Sequence, residues 1–350
     1  MVQSSIKRLE YIDAARGLAI FTVVYSHICL FCVPEYHSAS ALIDFLRIYF
    51  LNGFFFISGL LANNTVCSTS NVRSLLWKRT YQLLIPAVIV GLTYAYAHNI
   101  STLSFFFNEA KYGYWFTISL FEMYVIYYMY SLLFNRIISK KVSTVIFVLI
   151  CFSLYFAFKS KPAPQTINGL LGWKDTMFYI PFFSIGLLFS QYKYLIHKIE
   201  NKTPFLIFIG LCLSYYMPVP LLIQRIFVVV FVVWMIHELY ARPSKSKLIN
   251  GIKKFLLFVG NNSLEIYFLH YFILFSLPIC IGEYLETVSA SNQSLSMIEF
   301  IIVGTMSFFI SIVSVLLSHI LKYIPYVSLL AFGKHTPNLS KQKNICPKFQ

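Results

Sequence analysis

Arg16 and His27 are ionisable residues inside a run from 11 to 33 that is otherwise apolar, and Asp13 lies in the same run. An arginine at the centre of a membrane helix costs roughly 2.5–3.5 kcal/mol on insertion scales. A chain that keeps ionisable groups at such depth marks a functional site by default. The spacing of eleven residues is about three helical turns, so Arg16 and His27 share one helix face about 16 Å apart along the axis. A neutral imidazole can accept a proton from a hydroxyl, which makes His27 a candidate general base. Arg16, always charged, could orient His27 through an intervening group or bind an anionic substrate, with Asp13 as the third member of the set.

Other costly residues fall at compatible depths in later apolar runs. Arg47 lies in the next run at a level similar to His27 and could stabilise an oxyanion. Ser58, Glu122, Arg225 and His270 are candidates for substrate contact. Each has a plainer role open to it. Asp13 with Arg16, and Asp44 with Arg47, are i,i+3 pairs that could be neutralised ion pairs fixing helix packing. Ser58 and Gly59 could form a small-residue helix contact, and His270 and Glu265 could hydrogen-bond across a bundle without chemistry.

The elements that must position these residues are membrane helices. The 350 residues are 58% hydrophobic and only 12% charged, against roughly 25% charged in soluble domains. Apolar runs long enough to span a bilayer fall at 11–33, 41–62, 81–98, 114–134, 142–158, 175–192, 204–220, 221–240, 256–283 and 297–321, with Pro218 and Pro220 marking a tight turn between the seventh and eighth or a break within one unit. The fold class is therefore all-α, a polytopic transmembrane bundle of about ten helices. Residues 1–331 form one membrane-embedded domain, followed by a basic tail at 332–350.

Loop charge orients the bundle. Lys and Arg concentrate in segments 7–8, 73–79, 136–141, 193–202, 242–254 and 322–348, whereas Lys111, Lys159, Lys161 and Lys174 make up the opposite set. The positive-inside rule then puts both termini in the cytoplasm. The net charge of +15 is spent on this asymmetry, so nucleic acid is not expected as a partner. Seven cysteines is an odd number, and several lie in apolar runs; neither a disulfide framework nor a metal at Cys29-x-x-Cys32 is expected. Lys7 and Arg8 before an apolar stretch look like a secretory signal, but the stretch is too long and carries Asp13, Arg16 and His27, so it is expected to be retained.

Taken together, these segments resemble the acyltransferase 3 family of integral membrane acyltransferases. Tyr11-Ile12-Asp13-Ala14-Ala15-Arg16-Gly17-Leu18-Ala19, continuing to His27, is similar to the family's R-x10-H opening. Phe55-Phe56-Ile57-Ser58-Gly59 resembles its FFxxSG segment, Lys78-Arg79 before Leu83-Leu84-Ile85-Pro86 its basic loop, Trp115-Phe116 through Glu122 its W-F-L helix, and Gly260-Asn261-Asn262-Ser263-Leu264-Glu265-Ile266-Tyr267-Phe268-Leu269-His270 its late G-x-x-S-L-x-I-Y-x-x-H segment. Gln82 stands where related sequences often carry a second Arg, and Thr117 replaces the W-F-L leucine.

The resemblance implies transfer of an acyl group, most often acetyl from acetyl-CoA, to a hydroxyl of a surface carbohydrate such as O-antigen, capsule, exopolysaccharide or glycolipid, in a bacterial inner membrane. Acyl-CoA is then a co-substrate whose phosphates suit Arg73, Lys78 and Arg79, residues that the positive-inside rule explains equally well. No metal is implied. The reading from a different class is a proton-coupled transporter or lipid-linked glycan flippase, which would also bury His, Arg and Glu in a helical bundle.

Overall fold

The structure is a computed structural model of the chain and describes residues 10–33, 41–62, 69–135, 137–161, 164–192, 220–291, 297–324 and 326–333. The expected span at 204–220, the Asp44 side chain and the basic tail fall outside them, apart from Pro220 and the first residues of the tail.

The described residues are helical, without strands. They form α1 (Glu10–Phe31), α2 (Ala41–Ala62), α3 (Thr69–Arg79), a π-helical turn (Thr80–Leu84), α4 (Ile85–Ala97), α5 (Thr102–Phe107), α6 (Trp115–Phe134), α7 (Lys140–Ser160), α8 (Gln165–Leu171) and α9 (Trp173–Gln191). After the 193–219 segment come α10 (Leu221–Ala241), α11 (Lys247–Asn261), α12 (Ser263–Leu269), a 3-10 turn (His270–Phe272), α13 (Ile279–Ser291), α14 (Met297–Leu321) and α15 (Val327–Phe332). Among the described residues six helices are long and apolar enough to cross a membrane: Glu10–Phe31, Asn71–Ala97, Trp115–Phe134, Lys140–Ser160, Leu221–Ala241 and Met297–Leu321.

Two expected elements differ. The basic segment before the third span is not a loop. Arg73, Lys78 and Arg79 lie on α3, which runs through the π turn into α4 as one 27-residue helix, Asn71–Ala97, about 40 Å long. Hydropathy sees only the apolar part of such a helix, so its polar first turns read as loop. The expected 256–283 span is broken. Asn262 leaves helical geometry at φ −111°, ψ 18°, and residues 274–278 are not helical. Pro278 supplies the reason downstream, because it has no N–H to continue a helix and drives Leu277 toward extended backbone.

The chain forms two compact units, one from residues 1–61 and 185–314, the other from 62–184 and 315–350. In the first unit, α1 and α11 approach until backbones touch. A Cβ on Gly17 would overlap the Leu256 carbonyl oxygen, and one on Gly260 would overlap the Asp13 carbonyl oxygen. Small residues at a crossing allow this approach in a membrane, where packing and hydrogen bonds replace the hydrophobic drive between helices. The Phe21 ring closes edge-on against Phe255 at 5.6 Å. The Tyr49 hydroxyl donates to the Ala15 carbonyl at 2.9 Å and ties α2 to α1. The Tyr25 hydroxyl donates to Glu299 of α14 at 2.8 Å.

The second unit is built around α3, the π turn, α4, α6, α7 and the first part of α9. Its connection between α5 and α6 carries three consecutive left-handed residues, Lys111, Tyr112 and Gly113 at φ 46°, 50° and 99°. Side-chain burial explains the strain at Lys111, which is 1% exposed. Its ammonium donates to the carbonyls of Phe106 and Gly169, in the last turns of α5 and α8. A cation there satisfies orphan carbonyls and complements two helix dipoles. Burial holds this amine below the ordinary lysine range, and the Glu122 carboxylate pulls it partly back. Loop charge puts Lys111 in the non-cytoplasmic set, and the structure makes it an internal clamp.

Candidate active site

His27 of α1, Ile266 of α12, and His270 and Tyr271 of the 3-10 turn bring the chemistry together. Gly17 and Gly260 mark where α1 and α11 cross, and from each the chain climbs ten residues to a histidine, to His27 on α1 and to His270 beyond α12. His27 Nδ1 lies 2.9 Å from His270 Nε2. The rings are 4° from parallel with centroids 5.1 Å apart. Parallel rings stacked face to face at that separation could not bring nitrogens to 2.9 Å, so the rings lie edge to edge in a common plane, as an N–H···N bond requires.

The network then assigns both tautomers. His270 Nδ1 lies 3.0 Å from the Ile266 carbonyl oxygen, which only accepts, so His270 Nδ1 carries hydrogen and its Nε2 is an acceptor. His27 Nδ1 must donate to it, which leaves His27 Nε2 unprotonated, as an acceptor. The Tyr271 hydroxyl, 3.2 Å away, donates to His27 Nε2. His27 is half-buried, His270 fully buried. Phe31 and Tyr271 pack around the His27 ring at 5.9 and 4.9 Å, and the Leu277 amide donates to the Cys32 carbonyl at 2.7 Å, pinning the segment after His270 to the end of α1. The result is a base whose reactive nitrogen is specified from behind and already meets one hydroxyl.

The remaining sequence candidates are distributed differently. Arg16 pairs with Asp13 at 3.1 Å, with Asp13 buried; eleven residues along one continuous helix, Arg16 does not reach His27. Arg47 is exposed on α2. Tyr25, which bonds Glu299, lies about 160° round the helix from His27, so Glu299 meets α1 on a different face from the histidine pair. Ser58 is half-buried on α2. Gly186 of α9 lets α2 be approached closely, since its Cβ would overlap the Phe56 carbonyl oxygen. Arg225 is half-buried on α10.

Glu122 and the basic cluster belong to the second unit. Glu122 accepts from the Thr176 hydroxyl at 2.6 Å, and the opposite charge that sequence neighbours lacked is Lys111. Arg73 and Lys78 are exposed on α3. Arg79 lies over the Tyr124 ring at 4.0 Å and donates from Nη1 to Gln82 Oε1 at 3.3 Å, so the residue standing in for the family's second Arg is an internal partner of the first. Among the described residues no group of three or more His, Cys, Asp or Glu is placed to hold a metal ion. Sequence reasoning missed Tyr271, hidden among 25 tyrosines, and Glu299, fully buried but placed in the first turn of its helix, where an acid reads as ordinary N-terminal chemistry.

A family model described as an acyltransferase domain, that of acyltransferase 3, matches residues 9–317. The chain belongs to the acyltransferase 3 family. Comparison with curated proteins and with solved structures finds no match. As an acyltransferase 3 chain it is an integral membrane acyltransferase, and two of the family-like segments, those holding Gly17 and Gly260, are the pair that crosses beneath the two histidines.

Proposed function

We propose that this chain moves an acetyl group from acetyl-CoA to a hydroxyl of a cell-surface carbohydrate, such as O-antigen, capsule, exopolysaccharide or a glycolipid, in a bacterial inner membrane. The observation that carries the reading is the hydrogen-bond chain from Ile266 through His270 to His27, which leaves Nε2 of His27 unprotonated and facing a hydroxyl. In this reading the acceptor hydroxyl takes the position of the Tyr271 hydroxyl. His27 Nε2 removes its proton as the oxygen attacks the thioester carbonyl, a C–O bond forms, and collapse of the tetrahedral intermediate breaks the C–S bond. The proton on His27 leaves with the CoA thiolate, and His270, still accepting from Nδ1–H, supports the transient imidazolium. Arg73 and Lys78 are exposed cations suited to CoA phosphates. Arg79 is held inside by Tyr124 and Gln82, which gives it a smaller part in donor binding than the family pattern implies.

The test is ester formation from labelled acetyl-CoA by purified protein with a glycan acceptor. His27→Gln is expected to lose roughly 10²–10⁴-fold in rate while keeping its thermal melting profile. A well-folded His27→Gln protein that acetylates at the parental rate overturns the reading.

A further inference from the structure

The second unit contains a cavity of about 400 Å³ lined by Tyr155, Phe158 and Lys159 from the end of α7 and by Lys174, Asp175, Phe178 and Tyr179 from the start of α9. That volume lies in the range of small-molecule sites, which pair aromatic walls with a few polar groups. The aromatic walls are braced against one another. Phe178 packs on Tyr155 at 5.6 Å and stands at 81° to Tyr179, and Trp115 stacks on Tyr179 at 5.6 Å and 26°. Ring faces therefore keep fixed directions.

Charge narrows the class of occupant. Lys174 pairs with Glu109 at 3.7 Å, and Asp175 stands beside it, so the two lysines are matched by two carboxylates. A phosphate or carboxylate would find no net positive charge to bind, and an acyl chain would leave the charged rim unused. A neutral pyranose fits both features: its C–H faces lie flat on aromatic rings, and its hydroxyls can donate to Asp175 and accept from Lys159. By loop charge this end of α7 and α9 is also the one expected to face away from the cytoplasm.

We propose that this cavity binds a neutral pyranose unit of the acceptor glycan, with one C–H face on Tyr179, its edge against Phe178 and its hydroxyls on Asp175 and Lys159. The proposal rests on the carbohydrate-acceptor reading above. Full-length protein in lipid nanodiscs is irradiated with a diazirine-bearing methyl glucopyranoside, and the labelled peptides are mapped by mass spectrometry. Label is expected within residues 155–179, competed by plain methyl glucopyranoside and lost in Asp175→Asn and Tyr179→Leu; the exposed Lys159→Gln substitution guards against misfolding, and is expected to weaken labelling. Label that persists in all three variants, or that phosphatidylglycerol displaces and the glucoside does not, overturns the proposal. Ester formation is assayed on the same preparation. Transfer without cavity labelling overturns the cavity alone, whereas labelling without transfer to any acceptor overturns the function reading and with it the acceptor role of the cavity.

Discussion

His27 and His270 are 243 positions apart in the chain, yet their nitrogens meet at 2.9 Å. Each stood out in the sequence as an ionisable group in an apolar run; their pairing did not, because hydropathy reports which residues are buried and not which helix faces meet. The pairing assigns His270 a positioning role. Replacing it with Phe frees the His27 ring to populate both tautomers, so kcat falls, by less than the roughly 10²–10⁴-fold expected on losing the base itself, while KM for the acceptor stays near its parental value. His270→Gln, whose side-chain oxygen can accept from His27 Nδ1, recovers part of the rate. Steady-state kinetics on the two variants checks this, and equal, parental kcat values in both would remove His270 from the mechanism. Arg16 shows the opposite case: its spacing from His27 was legible, and that same spacing along a straight helix keeps the two apart.

At the scale of elements, the site depends on two backbone contacts that only glycine permits. Gly17→Val or Gly260→Val inserts side-chain atoms where a carbonyl oxygen already lies, and overpacking of this kind costs typically 1–3 kcal/mol, more where backbone must move. Both variants are expected to melt lower in detergent and to lose acyl transfer, since separating α1 from α11 separates the histidines. Gly251→Ala, with nothing near its Cβ, serves as the control and should match the parent in both measurements. The Lys111 clamp gives an independent comparison. Lys111→Met removes two charge-assisted hydrogen bonds, worth about 1.5–3 kcal/mol each, whereas Lys174→Met removes an exposed pair worth about 0–1 kcal/mol. Thermal unfolding should separate them clearly, with Lys111→Met the lower; identical melting points would mean that Lys111 is not a clamp. Hydropathy located the apolar cores of these helices well, to within a few residues for α6, α7, α10 and α14. It could not locate the polar start of the Asn71–Ala97 helix or the break after Asn261, which depend on hydrogen bonds and proline sterics rather than on apolar content.

For the whole molecule, loop charge makes a claim that the two-unit fold leaves independent: both termini and the 136–141 and 242–254 segments face the cytoplasm, and the 159–174 segment faces away. Reporter fusions after residues 139, 161, 244 and 332 test it. The expected pattern is cytoplasmic activity at the first, third and fourth and the opposite at the second, and a fusion at 161 that reports the cytoplasm would invert the topology. The low charge content and the length of the apolar runs together determined that this is a helical membrane protein, because runs of about twenty apolar residues cross a bilayer as helices, and the order of its motifs pointed to the acyltransferase 3 family. Tertiary structure alone decided what the buried polar groups do. It set His270 behind His27, Asp13 against Arg16, Thr176 on Glu122 and Lys111 between two helix ends, because hydrogen bonds are satisfied in space, by partners whose distance along the chain carries no information.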